Sequence, residues 1–212
     1  ALNVRRPLLF PLIWGIILKL FNSEAIIRLT EVFMSTMAVW FAYFIGKEMY
    51  NKKVGLIACF LSAVFWQYLF FTGRIMTDLP MVAFYLGAVY FFWRAYVNNK
   101  GSKNYIWFGL FLGLTLFTRG SAALTLAIFG VFILLKDRLK FLKNKKLWLA
   151  LLVMVIVIAP YFLYMQINID SGNAVVEYTG LTSNRFTRGM GLAGFGQYIS
   201  FFPMYLFLPF LL

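Results

Sequence analysis

Long apolar runs with at most one charged side chain each dominate this sequence. The clearest runs are residues 54–73, 147–169 and 189–212, and the next is residues 29–46. About 18 or more consecutive apolar residues suffice for a helix to cross the hydrocarbon core of a bilayer. The sequence therefore predicts an all-α, polytopic transmembrane helix bundle with about six to eight membrane segments.

Composition supports this class and excludes several chemistries. The chain is 62% hydrophobic and only 13% charged, whereas about a quarter of the residues of a soluble domain are charged. It has no histidine, and its one cysteine, Cys59, lies inside an apolar run. Histidine-based metal sites, Ser–His or Cys–His nucleophiles and disulfides within these residues are therefore excluded.

The net charge of +13 follows the predicted topology and does not form a nucleic-acid patch. Three segments hold most of the lysines: "GKEMYNKK" (46–53), "WRAYVNNKGSK" (93–103) and "KDRLKFLKNKK" (136–146). Basic loops face the cytoplasm in most membrane proteins. These loops are therefore predicted to be cytoplasmic, and no nucleic acid is expected as a partner.

This orientation fixes the path of the chain. Residues 29–46 run inward, 54–73 outward and 79–93 inward, so that "GRIMTDLP" (73–80) faces the outer or lumenal side. The next apolar stretch lies between two cytoplasmic loops and is split by Arg119. It must cross twice, which predicts a hairpin of two short helices with an outer turn at "FTRGS".

Later features complete the path. Gly109 and Gly113 form a small-xxx-small pair, which favours close helix packing. Residues 147–169 lead outward, and Pro160 is predicted to kink this helix or to end its regular part. A polar outer loop, residues 170–188, follows.

The N-terminal stretch "RRPLLFPLIWGIILKLF" (5–21) leaves two alternatives open. From Pro7 it would rise only about 22 Å as a helix. It is either a re-entrant or interfacial segment, or a short span with Arg5 and Arg6 inside. The chain begins with Ala and ends in an apolar run, so residues 1–212 are interpreted as part of one transmembrane domain.

The outer side is rich in arginine. Its seven arginines are Arg5, Arg6, Arg28, Arg74, Arg119, Arg185 and Arg188. The guanidinium group is suited to binding phosphate. Arginines beside an apolar groove therefore suit an amphipathic anion such as a polyprenyl phosphate, although Arg119 could also be an interfacial residue that snorkels.

Asp78 has two interpretations. It could cap the following helix, with Leu79 and Pro80 in the first turn and Arg74 as its ionic partner. Alternatively, it is a carboxylate at the mouth of a membrane cavity, since ionisable groups at membrane depth usually face the interior of the bundle.

Several motifs together resemble a known family. "RRPLLFPLIWGIILKLFNSEAIIRLTEVF" is similar to a basic-Pro-Pro-Leu motif, with one proline where two are usual, followed by a short helix and a Ser-Glu-x-x-x-Arg-Leu stretch. "TGRIMTDLP" resembles an Arg-x-x-Thr-Asp loop, "FTRGS" a Thr-Lys/Arg-Gly turn, and "NRFTRG" a late outer loop. In this order they resemble the dolichyl-phosphate-mannose protein mannosyltransferase and aminoarabinose transferase group of GT-C membrane glycosyltransferases.

The resemblance implies an integral membrane enzyme of the cell membrane, or of the endoplasmic reticulum if eukaryotic. It would transfer a sugar from a polyprenyl-phosphate donor to a protein or lipid acceptor on the outer or lumenal side, with inversion. The main general base would lie in a first outer loop upstream of Ala1, so that this chain alone is expected to be inactive. Some members of the class use a divalent metal, for which no site is assigned here.

The resemblance also implies roles for individual residues. Asp78 matches the acid of the second outer loop and is the candidate catalytic residue. Four arginines are candidates for binding the donor phosphate: Arg5, Arg6, Arg119 and Arg185. The supporting residues are Arg74, Glu177 and Arg188.

Two other classes of function remain open. A transporter or flippase of a lipid-linked anion would also need an arginine-lined cavity, although such proteins often contain internal repeats and none is evident here. A non-catalytic membrane subunit would scatter its outer arginines around the bundle.

Overall fold

All regular structure in the described part of the chain is helical. The computed structural model describes residues 9–72, 74–119 and 122–168. Its α-helices are α1 (Leu9–Phe21), α2 (Glu24–Met49), α3 (Lys52–Val64), α4 (Trp66–Thr72), α5 (Asp78–Phe92), α6 (Lys103–Thr118), α7 (Ala123–Asp137) and α8 (Lys145–Asn168). A π-helical turn, Trp93–Val97, extends α5, and a 3₁₀ turn, Arg138–Lys143, connects α7 to α8.

Two of these helices meet the length and composition of a membrane span. They are α2 and the Lys145–Leu163 part of α8. Helix α1 is apolar but shorter, with 13 residues. The all-helical class is confirmed, while the number of membrane segments stays a prediction.

Helices α2 and α3 form a tight pair. The side chain of Asn51 accepts a hydrogen bond of 3.0 Å from the Val54 N–H and so caps the start of α3. Nearby, a Cβ atom added to Gly46 would lie only 2.9 Å from Gly55 Cα. The two glycines therefore let the helix backbones approach more closely than side chains would permit.

Aromatic rings fill the core between α5, α6 and α7. Phe92 lies 5.1 Å from Phe108 and 4.9 Å from Phe129, measured between ring centroids. Phe108 and Phe129 are themselves 5.2 Å apart, as expected if α6 turns back on itself into α7. The structure thus confirms the predicted break at Arg119.

Helices α6 and α8 run side by side in the same direction. Added Cβ atoms would meet the backbone of Ala150 at Gly109 and lie 2.8 Å from Val157 Cβ at Gly113. Further along, Phe117 contacts Tyr161 with 5.8 Å between ring centroids. The predicted small-xxx-small packing is confirmed, and the helix that α6 packs against is α8.

One detail of the predicted path is wrong. The run 54–73 is not one helix, because Phe65 takes an extended conformation (ψ 116°) that separates α3 from α4. Pro160 lies inside α8, which continues to Asn168, so that of its two predicted roles the structure excludes the end of the helix and the kink stays a prediction. Prolines are tolerated there because neighbouring helices, side chains or small helix adjustments satisfy the freed backbone groups.

The three lysine-rich segments meet at one end of the bundle, here called the basic end (residues 46–53, 93–103 and 136–146). Lys100 Nζ lies 2.5 Å from Glu48 Oε1, and Asn98 donates a 2.8 Å hydrogen bond to the same oxygen. The Tyr96 hydroxyl donates to Asp137 Oδ2 at 2.5 Å. Burial and this hydrogen bond raise the pKa of Tyr96 above its ordinary value, so the phenol remains a donor.

Candidate functional site

Asp78 is the first residue of α5, at the end of the bundle opposite the basic end. The N-cap position belongs to Thr77, which makes no side-chain capping bond. The prediction that Asp78 caps α5 is therefore wrong by one position. Pro80 lies in the first turn as predicted, where its missing N–H costs nothing. A carboxylate in this turn is also stabilised by the partial positive charge of the helix N-terminus.

Arg119 is the ionic partner of Asp78. Its Nη1 donates to Asp78 Oδ1, which joins the start of α5 to the end of α6. The Arg119 backbone is extended (φ −155°, ψ 131°), while its N–H still donates to the Thr115 carbonyl at 3.3 Å. The end of α6 thus leaves the helix at the point where its side chain can reach α5.

The ion pair remains accessible. The side chains of Arg119 and Asp78 are 42% and 41% exposed, respectively. A substrate at this end of the bundle could therefore contact both charges without first displacing side chains of residues 9–72, 74–119 or 122–168. This accessibility distinguishes the pair from a buried structural salt bridge.

Arg74 does not take the place predicted for it. Its guanidinium lies over the Phe70 ring, 4.0 Å from the centroid, while Asp78 pairs with Arg119. Four residues of spacing suggested a helical neighbour, but residues 74–77 lie outside α5, so the helical i, i+4 geometry does not apply here. The predicted pairing of Arg74 with Asp78 is replaced by the long-range pair.

Two threonines below Arg119 are buried, but their hydroxyls are satisfied locally. Thr115 and Thr118 donate 2.7 Å hydrogen bonds to the carbonyls of Phe111 and Leu114, respectively. These bonds use the one donor of each hydroxyl within α6, and both side chains are buried. These residues therefore support α6 rather than extend the site.

Glu31 was not among the predicted site residues. It lies in α2, is completely buried, and neither carboxyl oxygen has a hydrogen-bond partner among the described residues. A buried polar group without a partner typically costs about 1–3 kcal/mol. The sequence contained a signal for it, because Glu31 interrupts the apolar run 29–46 where the other residues are uncharged.

Comparison with known proteins identifies the family. The sequence model of the dolichyl-phosphate-mannose-protein mannosyltransferase family matches residues 5–164. The chain belongs to this family. Neither a search of curated proteins nor a search of solved structures gave a significant match.

Family membership supports a coarse functional assignment. Mannosyltransferases of this family are integral membrane proteins, and their description indicates glycosyltransferase activity. The matched segment includes Asp78, Arg119 and Glu31. The described part of the chain contains no group of three Cys, Asp or Glu residues placed to hold a metal ion.

The remaining predicted site residues lie outside the described ranges. They are Arg5, Arg6, Glu177, Arg185 and Arg188. Of the predicted residues that are described, the structure brings Asp78 and Arg119 together and places Arg74 on Phe70.

Proposed function

We propose that this chain forms part of a membrane glycosyltransferase that moves a sugar from a polyprenyl-phosphate donor to a protein or lipid acceptor. The reaction takes place on the outer or lumenal side and inverts the configuration at the sugar C1. The proposal combines the family match over residues 5–164 with the geometry of the Asp78 end of the bundle.

The observation that carries the proposal is the exposed ion pair between Asp78 and Arg119. It places a carboxylate and a guanidinium group, which is suited to binding phosphate, side by side at the end opposite the lysine-rich loops. Glycosyl transfer from a lipid phosphate requires both kinds of group. The carboxylate assists removal of a proton from the nucleophile, and the guanidinium stabilises the phosphate that leaves.

The proposed reaction is a direct displacement. The acceptor hydroxyl or amine attacks C1 from the face opposite the phosphate, the C1–O bond to the phosphate breaks, and a carboxylate takes the acceptor proton. Such proton transfer is typically worth 10²–10⁴-fold in rate. Positive side chains stabilise the charge that develops on the departing lipid phosphate.

Each predicted residue has a place in this scheme. The main general base belongs to the first outer loop, upstream of residue 1, and Asp78 is the second acid of the site. The donor phosphate is bound by Arg119 together with Arg5 or Arg6 and Arg185. Arg74, Glu177 and Arg188 support the site from the surrounding outer segments.

The first test uses the full-length enzyme in lipid nanodiscs with a polyprenyl-phosphate-mannose donor. We expect Asp78→Asn to lower the rate of sugar transfer by about 10²-fold or more, because the amide lacks the charge that pairs with Arg119 and that assists proton transfer to the main general base. Thermal unfolding should change little. Asp137→Asn is the matched control, since Asp137 is bonded to Tyr96 at the basic end and should retain near-normal transfer.

Near-normal transfer by the Asp78→Asn enzyme would return Asp78 to a purely structural role at the start of α5. If the wild-type enzyme moves the donor across the bilayer and never releases sugar, the protein is a flippase instead. If it neither transfers nor translocates the donor, a non-catalytic subunit is the better description.

A further inference from the structure

Glu31 requires an explanation that the proposed reaction does not supply. Its side chain is completely buried, and both carboxyl oxygens lack a hydrogen-bond partner among the described residues. Ionisable groups inside a membrane bundle are costly and commonly mark substrate sites. Glu31 therefore calls for a ligand that supplies hydrogen-bond donors.

The depth of Glu31 follows from the register between α2 and α5. The Phe41 ring contacts Tyr90 and Phe91, at 6.1 and 6.3 Å between centroids, and the two helices run in the same direction. At this register, the residue of α5 level with Glu31, which lies ten residues before Phe41, is Met81, ten residues before Phe91. Met81 is in the first turns of α5. Glu31 thus lies at the depth of the helix end that carries Asp78.

A second unpartnered group occurs on α1. The indole Nε1 of Trp14 is buried and has no acceptor among the described residues. The Trp14 ring lies 5.5 Å from that of Phe10, which in turn lies 6.2 Å from Phe84 in the second turn of α5. An unused donor and an unused acceptor are therefore both placed near the first turns of α5.

We propose that Glu31 and Trp14 bind hydroxyl groups of the sugar carried by the lipid donor. This inference rests on the proposed function and adds a sugar subsite to it. A sugar hydroxyl both donates and accepts hydrogen bonds, which matches a carboxyl acceptor and an indole N–H donor. The ring of Trp14, which is partly exposed and packs on the buried Phe10, offers an apolar surface for the C–H face of the sugar.

The chemistry separates this subsite from the phosphate site. A carboxyl group is a poor neighbour for an anionic phosphate, whereas Arg119 is well suited to it. The donor would therefore lie with its phosphate toward Arg119 and its sugar toward Glu31. Substitution of Glu31 should therefore weaken binding of the sugar-carrying donor and leave binding of the bare lipid phosphate unchanged.

The test compares two ligands on the full-length enzyme in nanodiscs, polyprenyl-phosphate-mannose and bare polyprenyl phosphate. We expect Glu31→Gln and Trp14→Phe each to weaken binding of the mannosylated donor by about 10-fold. The affinity of both variants for bare polyprenyl phosphate should stay within about 2-fold of wild type. Glu24→Gln is the control, because Glu24 is an exposed glutamate at the start of the same helix. Its affinities for both lipids should also stay within about 2-fold of wild type.

Deoxymannose donors identify the hydroxyl concerned. For one deoxy position, the wild-type affinity should fall by about the same factor as the Glu31→Gln substitution lowers the affinity for the unmodified mannose donor. The affinity of the Glu31→Gln variant should fall little further when it is given that deoxy donor. A structural defect would instead weaken every donor in parallel.

Three results would overturn the inference. Equal losses for the mannosylated and the bare lipid would make Glu31 a structural residue. Unchanged binding of both lipids by an active Glu31→Gln enzyme would mean that Glu31 and Trp14 hold only buried water. A wild-type enzyme that transfers no sugar from any polyprenyl-phosphate donor would refute the proposed function itself, and this subsite with it.

Discussion

At the residue scale, the ion pair of Asp78 and Arg119 is expected to contribute little to the free energy of unfolding. Ion pairs that keep about 40% of their side-chain surface exposed usually contribute about 0–1 kcal/mol. The two residues are 41 positions apart in sequence, and the contact holds two helix ends in one place. The ion pair therefore positions the two charged groups and adds little to the stability of the bundle.

This leads to a prediction for Arg119. We expect Arg119→Gln to change the free energy of unfolding by less than about 1 kcal/mol. Sugar transfer should fall by about 10²–10³-fold, because a preorganised positive group at the departing phosphate is lost. Arg119→Lys should recover part of the activity, as it keeps the charge and loses the fork geometry.

The measurement is steady-state transfer alongside a thermal melt in the same nanodiscs. Arg138→Gln, which changes an exposed arginine at the basic end, serves as the control and should leave both unchanged. A large loss of stability with normal turnover would show that Arg119 is structural.

At the scale of helices, the contact between α6 and α8 is made by backbone rather than by long side chains. Gly109 lies against Ala150, and Gly113 lies against Val157. Small residues at such contacts let helices approach closely in membranes. The same approach leaves no room for a methyl group on either glycine.

We therefore expect Gly109→Ala to destabilise the protein by about 1–3 kcal/mol, since the new methyl group meets the Ala150 backbone. Gly130→Ala in α7 is the matched control, because an added Cβ atom there has nothing within 4 Å. It should be neutral or stabilising by up to about 1 kcal/mol, through helix propensity. Equal melting temperatures for the two variants would contradict the close contact.

At the scale of the whole molecule, the bundle has two chemically different ends. Lysine-rich segments gather at one end, and the Asp78–Arg119 pair lies at the other. Lysine-rich loops favour the cytoplasmic side. The pair is therefore expected on the outer or lumenal face.

Cysteine labelling tests this orientation. On a Cys59→Ala background, we expect Ile75→Cys to react with a membrane-impermeant maleimide added to intact cells. Asn99→Cys should react only after the membrane is permeabilised, because residues 75 and 99 are both exposed but lie at opposite ends. The reverse pattern would invert the orientation, and labelling of both from outside would contradict a spanning bundle.

Much of the helical layout could be predicted from the sequence, because apolar runs and basic loops have strong signals. The hairpin at Arg119 and the glycine contact of α6 are examples. The break at Phe65 could not be predicted, since no Gly or Pro marks it and an extended ψ depends on tertiary packing.

The site was less predictable for the same reason. Asp78 could be recognised as a candidate from its loop, but its partner is Arg119 and not the nearer Arg74. Sequence spacing reports only local neighbours, and the pair depends on how α5 and α6 pack. Glu31 was visible as a charge in an apolar run, whereas its complete burial appears only when α2 lies within the bundle.

The glycine contact has a mechanical consequence for catalysis. Arg119 lies ten residues beyond Gly109, about 15 Å along α6. A tilt of about 5° at that contact would displace the end of the helix by about 1 Å, a misplacement that can cost a catalyst about 10²-fold. The position of the Arg119 side chain therefore depends on the packing of α6 at Gly109. One methyl group added at Gly109 could lower turnover without contacting Asp78 or Arg119.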